Sequence, residues 1–113
     1  SMAVDAVRDA GKCQAHIVCF PECYVPGYRA AGRTVEAVDA GFLEAAWIAV
    51  AAAAARAAVT VVLGTDRIVD GERRIAAMVV DPDGTTAGVQ DKVQLDPSEE
   101  GTYAAGAGRQ LFR

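Results

Sequence analysis

The chain is short of positive charge, of aromatic rings, of cysteine and of long apolar runs, and each shortage removes something. Lys and Arg number 11 against 15 Asp and Glu, a net charge of −4. No basic field is present to attract nucleic acid or an anionic membrane surface, so neither is expected as a partner. The most apolar window, WIAVAAAAARAA over residues 47–58, is mostly alanine and is broken by Arg56. It is too short to cross a bilayer and reads as a soluble helix. Ser1-Met2-Ala3 is followed by no basic segment leading into an apolar stretch, so no secretory signal is expected.

Three cysteines, Cys13, Cys19 and Cys23, form an odd set within eleven residues. That is a poor disulfide framework and suits a reducing compartment, with the cytoplasm as the expected location. His16, Cys19 and Cys23 match no zinc-knuckle spacing and have no evident fourth ligand, so buried apolar thiols are expected and no metal. Aromatics make up 6% of the chain while alanine accounts for 24 residues. Such a core packs closely but hides little apolar area per position.

What remains is a globular composition, 52% hydrophobic and 23% charged over 113 residues. It fits a single domain, 1–113, with room for one core. Val4, Val7, Arg8 and Gly11 predict a short amphipathic helix over residues 4–12, closed by the glycine. His16-Ile17-Val18-Cys19-Phe20 reads as a buried strand stopped by Pro21, followed by a loop to Gly32 punctuated by Pro26-Gly27. Val35, Val38, Phe42, Leu43, Trp47 and Val50 recur at threes and fours, which predicts one long helix over residues 34–58 with a potential break at Gly41. A second buried strand covers residues 59–64 and extends toward Val69, and Asp70-Gly71 makes a turn. A third strand over 75–81 and a fourth over 86–95 flank the turn Pro82-Asp83-Gly84. The rest, residues 96–113, is loop-like. Helix, strand, helix, strand and hairpin make an α/β pattern with helices on one side of a sheet.

Four places carry chemistry. Glu22 sits one residue beyond the proline that ends a buried strand, where α/β sheets present functional groups; its bland reading is a solvated loop carboxylate. Lys92 lies in a half-buried segment, where a lysine ordinarily snorkels at a sheet edge. Glu99 and Glu100 open a charge cluster that is ordinarily a solvated turn. Gly106-Ala107-Gly108 lacks the strand-to-helix setting of a dinucleotide fingerprint, and no cofactor is implied.

Taken in order, IVCFPECYVPGY, VVLGTDRIVDG and AAMVVDPDGTTAGVQDKVQLDPSEEGTYAAG resemble the N-terminal half of the nitrilase, or carbon-nitrogen hydrolase, superfamily. The strongest parts are Phe-Pro-Glu followed by Gly-Tyr, and Lys-x-x-Leu after an Asp-Pro-Asp-Gly turn. The resemblance implies a Glu-Lys-Cys triad that hydrolyses nitriles, amides or carbamoyl groups through a covalent thioester or thioimidate. By position, Glu22 matches the general base, Lys92 the catalytic lysine, and Glu100 the additional glutamate found near the site. The family's cysteine follows the lysine by a few dozen residues, and no Cys occurs after Cys23. Cys23 adjoins Glu22 but does not match the nucleophile's place. His16, Ile75 and Gln90-Asp91 also stand where the family often has Asp, Asn and Tyr-Arg, and its opening strand is missing before Val4.

The resemblance implies half of a four-layer α-β-β-α sandwich, one helix layer on one mixed sheet, with the C-terminal half absent. Loss of a nucleophile removes on the order of a million-fold in turnover in a well-studied hydrolase, so the chain alone is expected to be nearly inert. The sheet face opposite the helices is expected to lie open, and a homodimer pairing sheet against sheet, or a separate C-terminal half, to cover it. The competing readings are a non-catalytic structural or binding module, and an unrelated α/β domain. Tyr28 and Tyr103 could line what remains of a pocket, with buried packing as their bland reading.

Overall fold

Two tight turns and one long connection decide the sheet. The computed structural model describes residues 2–27 and 39–112. The described elements run α1 (Met2–Lys12), β1 (Ile17–Cys19), α2 (Ala40–Ala57), β2 (Thr60–Val69), β3 (Glu72–Val80) and β4 (Thr86–Asp91), and the strands lie side by side in chain order. β1 and β2 are parallel, because the connection through α2 returns the chain to the same end of the sheet. Asp70 and Gly71 both have positive φ, 50° and 79°, and Val69 pairs directly with Glu72. That two-residue turn makes β2 and β3 an antiparallel hairpin, and it starts β3 three residues earlier than expected. Glu72, Arg73 and Arg74 thereby belong to the strand despite their charge.

α2 starts where Asp39 caps it, its Oδ1 accepting the Phe42 N–H at 2.8 Å. The expected helix began at residue 34; residues 34–38 lie outside the described part, as does Tyr28, and Gly41 sits unbroken in the first turn. The helix ends at Ala58, which takes the left-handed conformation with φ 54°. Its 18 residues have a mean hydropathy of 1.3, long and apolar enough by length and composition to cross a membrane. Here Leu43, Val50, Ala53 and Ala54 are buried. Gly11 does not close α1, as its position suggested; Gln14, with φ 59°, turns the chain instead. A Cβ on Gly11 would lie 2.8 Å from that of Ala57, so the glycine permits close approach of the two helices.

Both helices pack on one face. Val7, Val50, Ala53 and Ala54 meet Val61, Leu63, Met78 and Val80 in the main core. The register places Val62 beside Val79 and Gly88, and Gly64 beside Ala77 and Gln90, on the opposite face. That face is largely open, as expected: Val62, Ala77 and Val79 are half-buried and Ile17 is 55% exposed. β1 therefore corrects the expectation of a buried strand. It is an edge strand paired on one side, and Ile17 and Cys19, which it turns to the open face, are exposed. β4 stops at Asp91 instead of reaching Leu95. After it the Lys92 N–H still bonds Ile75 O at 2.7 Å, but the Lys92 carbonyl accepts from Gly106.

Two substitutions should act with opposite signs, each read from urea unfolding followed by the fluorescence of Trp47, the single tryptophan. Ala58→Gly relieves a left-handed alanine and is expected to stabilise by about 0.5–1 kcal/mol. Gly11→Val forces α1 off α2 and is expected to cost about 1–3 kcal/mol.

Candidate active site

Glu22 reaches the site because Gly64 lets the chain cross β2. A Cβ on Gly64 would overlap the carbonyl oxygen of Pro21 and come within 2.8 Å of Glu22 Cα. No other residue type fits there. The crossing is stitched down on both sides of the turn. Phe20 N–H donates to Val62 O at 2.8 Å, Val25 N–H to Gly64 O at 3.2 Å, and Asp66 N–H to Val25 O at 2.7 Å. Between them Tyr24 N–H donates to Pro21 O, closing a four-residue turn with Glu22 and Cys23 at its centre.

Lys92 arrives from the other side of the sheet, just past β4. Its ammonium lies 2.9 Å from Glu22 Oε1, and 3.0 Å and 3.2 Å from the two carboxylate oxygens of Glu99. Three donors thus meet two carboxylates, and these bonds, Glu22 first and Glu99 second, hold the Lys92 pKa above its ordinary value. The two carboxylates differ in setting. The Glu22 side chain is 46% exposed, whereas that of Glu99 is 2% exposed and also accepts the Asp96 N–H at 2.9 Å.

The structure brings together Glu22 and Lys92 and leaves out Glu100. Glu100 is exposed, and the carboxylate beside Lys92 is that of its neighbour. The reason is local: through residues 96–103 the chain coils in turns, with the Glu99 N–H on Asp96 O and Glu99 O accepting from both Thr102 and Tyr103, and Glu99 is buried there while Glu100 is exposed. Gly64 went unnoticed, and Gln90 was marked only as a departure from the family's usual residue. Gln90 donates to Gly108 O at 2.8 Å and accepts from Gln110 N–H at 2.7 Å, fastening residues 106–112 along the edge of β4.

Cys23 is not poised for attack. It is fully buried, its thiol donates to Tyr103 Oη at 3.8 Å, and burial, the largest influence, pushes its pKa up to about 12. Cys13 and Cys19 are exposed, which for Cys19 corrects the expectation of a buried thiol. Both are left uncovered by the described residues: Cys13 at the end of α1 and Cys19 on the open face of β1.

Glu22 and Lys92 line a shallow hollow of about 310 Å³ on the open sheet face, floored by Phe20, Val62, Ile75 and Ala77. An exposed carboxylate here can take or give a proton, and a fixed ammonium can meet a developing negative charge. Glu99, buried behind Lys92, meets the ammonium with both carboxylate oxygens. A larger hollow of about 530 Å³ between the helices has Arg8, Lys12 and Arg56 in its wall. Lys12 and Arg56 there sit in the last turns of their helices, where they offset the helix dipoles.

The profile of the carbon-nitrogen hydrolase family matches residues 1–110. Among solved structures, an amidase of the nitrilase superfamily from Nesterenkonia AN1 superposes with a TM-score of 0.78 at 24% identity, over 95% of this chain and 42% of that one. The same amidase in complex with butyramide gives 0.79 at 24% identity, over 95% and 41%. A carbon-nitrogen hydrolase from Helicobacter pylori G27 gives 0.75 at 18% identity, over 94% and 38%. These likenesses show a shared fold, and the chain spans about two fifths of the length of those proteins. No curated protein matches.

Two outcomes are expected from this geometry. In a thiol titration at pH 8, Cys13 and Cys19 should react in the native protein and Cys23 only after unfolding; native labelling of Cys23 at the rate of the others would contradict its placement. Stability should also fall at alkaline pH. A lysine whose pKa is raised by folding contributes fully below its unfolded value of 10.5 and loses that contribution above it. Lys92→Met should flatten this alkaline limb in thermal melts between pH 9 and 12.

Proposed function

Because the chain belongs to the carbon-nitrogen hydrolase family, we propose that it supplies the proton-transfer half of an amidase or nitrilase active site. The observation that carries this reading is the Glu22–Lys92 pair at 2.9 Å on an open apolar face. Glu22 is the general base, Lys92 the oxyanion stabiliser, and Glu99, in place of Glu100, holds Lys92. The nucleophilic cysteine comes from a segment that covers the open face, since Cys23 is buried, Cys13 follows α1, and Cys19, although on the open face beside Val62, is not in the lining of the hollow.

The chemistry follows from the charges. With Lys92 between two carboxylates, the group carries one positive and two negative charges. When Glu22 takes the proton of an attacking thiol, the S–C bond forms and electron density moves to the carbonyl oxygen or nitrile nitrogen. A neutral Glu22 holds the ammonium less strongly, so Lys92 is released toward the new anion at the moment it forms. For an amide, Glu22 returns the proton to the leaving amine as the C–N bond breaks, then deprotonates the water that cleaves the thioester. No cofactor enters. Free thiols at Cys13, Cys19 and Cys23 suit a reducing compartment such as the cytoplasm.

Coverage of two fifths of each relative favours a C-terminal half as the segment that completes the site. In its absence the same face favours a second copy of the chain, because Ile17, Val62 and Val79 lie uncovered together.

Joined in frame to a C-terminal half carrying the cysteine, such as that of the Nesterenkonia amidase, the chain is expected to release ammonia from butyramide. Glu22→Gln and Lys92→Ala should each lower kcat/KM by about 100-fold or more. An active hybrid indifferent to both would sink the assignment. The 113-residue chain alone should release no ammonia and should run as a dimer in light scattering at micromolar concentration; a monodisperse monomer would remove the second copy from the account.

A further inference from the structure

A second apolar cluster lies apart from the main core. Cys23, Ile75 and Tyr103 are buried in it and Leu95 packs against them. Each member is tied by the backbone to one of the three charged residues. Cys23 follows Glu22 in the chain. The Ile75 carbonyl accepts the Lys92 N–H at 2.7 Å, and the Tyr103 N–H donates to Glu99 O at 2.8 Å. Leu95 sits on the short stretch between Lys92 and Glu99.

Tyr103 spans this cluster. Its backbone belongs to the Glu99 turn, while its hydroxyl reaches the Cys23 thiol on the Glu22 turn. Backbone bonds fix the Glu22 turn to β2 and Lys92 to Ile75, and the ion pair adds little to the spacing of the turns. The Glu22 side chain is 46% exposed, and a pair so exposed gains little from its own attraction. The turn that carries it also keeps Cys23 left-handed, with φ 51°, a conformation that L side chains resist. Buried aromatic area, by contrast, is a strong and fixed restraint.

We propose that Tyr103 is a positioning residue whose ring sets the separation of the Glu22 and Glu99 turns and so keeps the Lys92 ammonium bridged between both carboxylates. The ring matters more than the hydroxyl, since a thiol is a weak donor and the contact is 3.8 Å long. That Lys92 acts in catalysis rests on the function proposed above; the bridging itself is measurable without turnover.

Lysine ammonium exchange, followed by NMR on the 113-residue chain, tests this. The sequence has two lysines, so exposed Lys12 serves as the internal reference. In the native protein Lys92 should exchange slowly, and Glu22→Gln should speed it. Tyr103→Phe should keep both properties. Tyr103→Ala, with native Trp47 fluorescence, should exchange about tenfold faster or more, as expected when a charge-assisted hydrogen bond is lost, and should no longer respond to Glu22→Gln. Where Tyr103→Ala fails to fold, Tyr103→Leu is judged by the same two criteria. A folded Ala or Leu variant with native exchange and native response overturns the proposal. A hybrid enzyme indifferent to Lys92→Ala would count against the proposed chemistry and leave the role of Tyr103 standing.

Discussion

The candidate site turns on one ammonium group between two carboxylates. Lys92 meets Glu22, 70 residues earlier, and Glu99, 7 residues later. The two contacts differ physically. The bond to Glu99 is local and buried, made within the coil that follows β4. The bond to Glu22 is long-range and half-exposed, and it exists only if the sheet forms in the observed order. Charge attraction at that exposure contributes little, so the site is a consequence of the fold and not a cause of it.

The constraint that makes the meeting possible is steric. Glu22 comes from the edge strand β1, and Lys92 from beyond the opposite edge, β4. The turn bearing Glu22 must cross β2 with no side chain in its path, and Gly64 provides that clearance. From the other side, the Lys92 backbone is held between Ile75 and Gly106, and Gln90 fastens the following chain along β4. The apolar cluster of Cys23, Ile75 and Tyr103 lies under both approaches. An open face floored by Val62 and Ala77 is left above them, which is how an acyl group and a nucleophile could reach the pair.

Much of the architecture was legible. Periodic Phe42, Leu43, Trp47 and Val50 marked α2, β-branched residues marked β2, and Asp70-Gly71 and Pro82-Asp83-Gly84 marked the two hairpin turns. These signals are local, and local propensity and helical phase decide them. The errors have equally definite causes. Ile17-Val18-Cys19 read as buried because an apolar run resembles a central strand, yet edge position and an uncovered face leave it exposed. Gly11 read as a helix stop, but its role depends on Ala57, 46 residues away. Glu100 was chosen over Glu99 by spacing from Lys92, whereas the turns that follow β4 bury Glu99 and leave Glu100 exposed.

The shortage noted first, few aromatics and much alanine, takes on a specific meaning in the fold. The small residues let α1 and α2 pack closely on the sheet, and two of the few rings sit at points of restraint, Trp47 on Thr65 and Tyr103 in the cluster with Cys23 and Ile75. By itself the sequence determined most of the elements, the turns, the family and the motifs that mark Glu22 and Lys92, because these depend on neighbours along the chain. Tertiary structure alone decided that Glu22 meets Lys92, which glycine must stay bare and which thiol is sealed from reaction. Each of those depends on an atom supplied from another part of the chain, at a distance that no local pattern encodes.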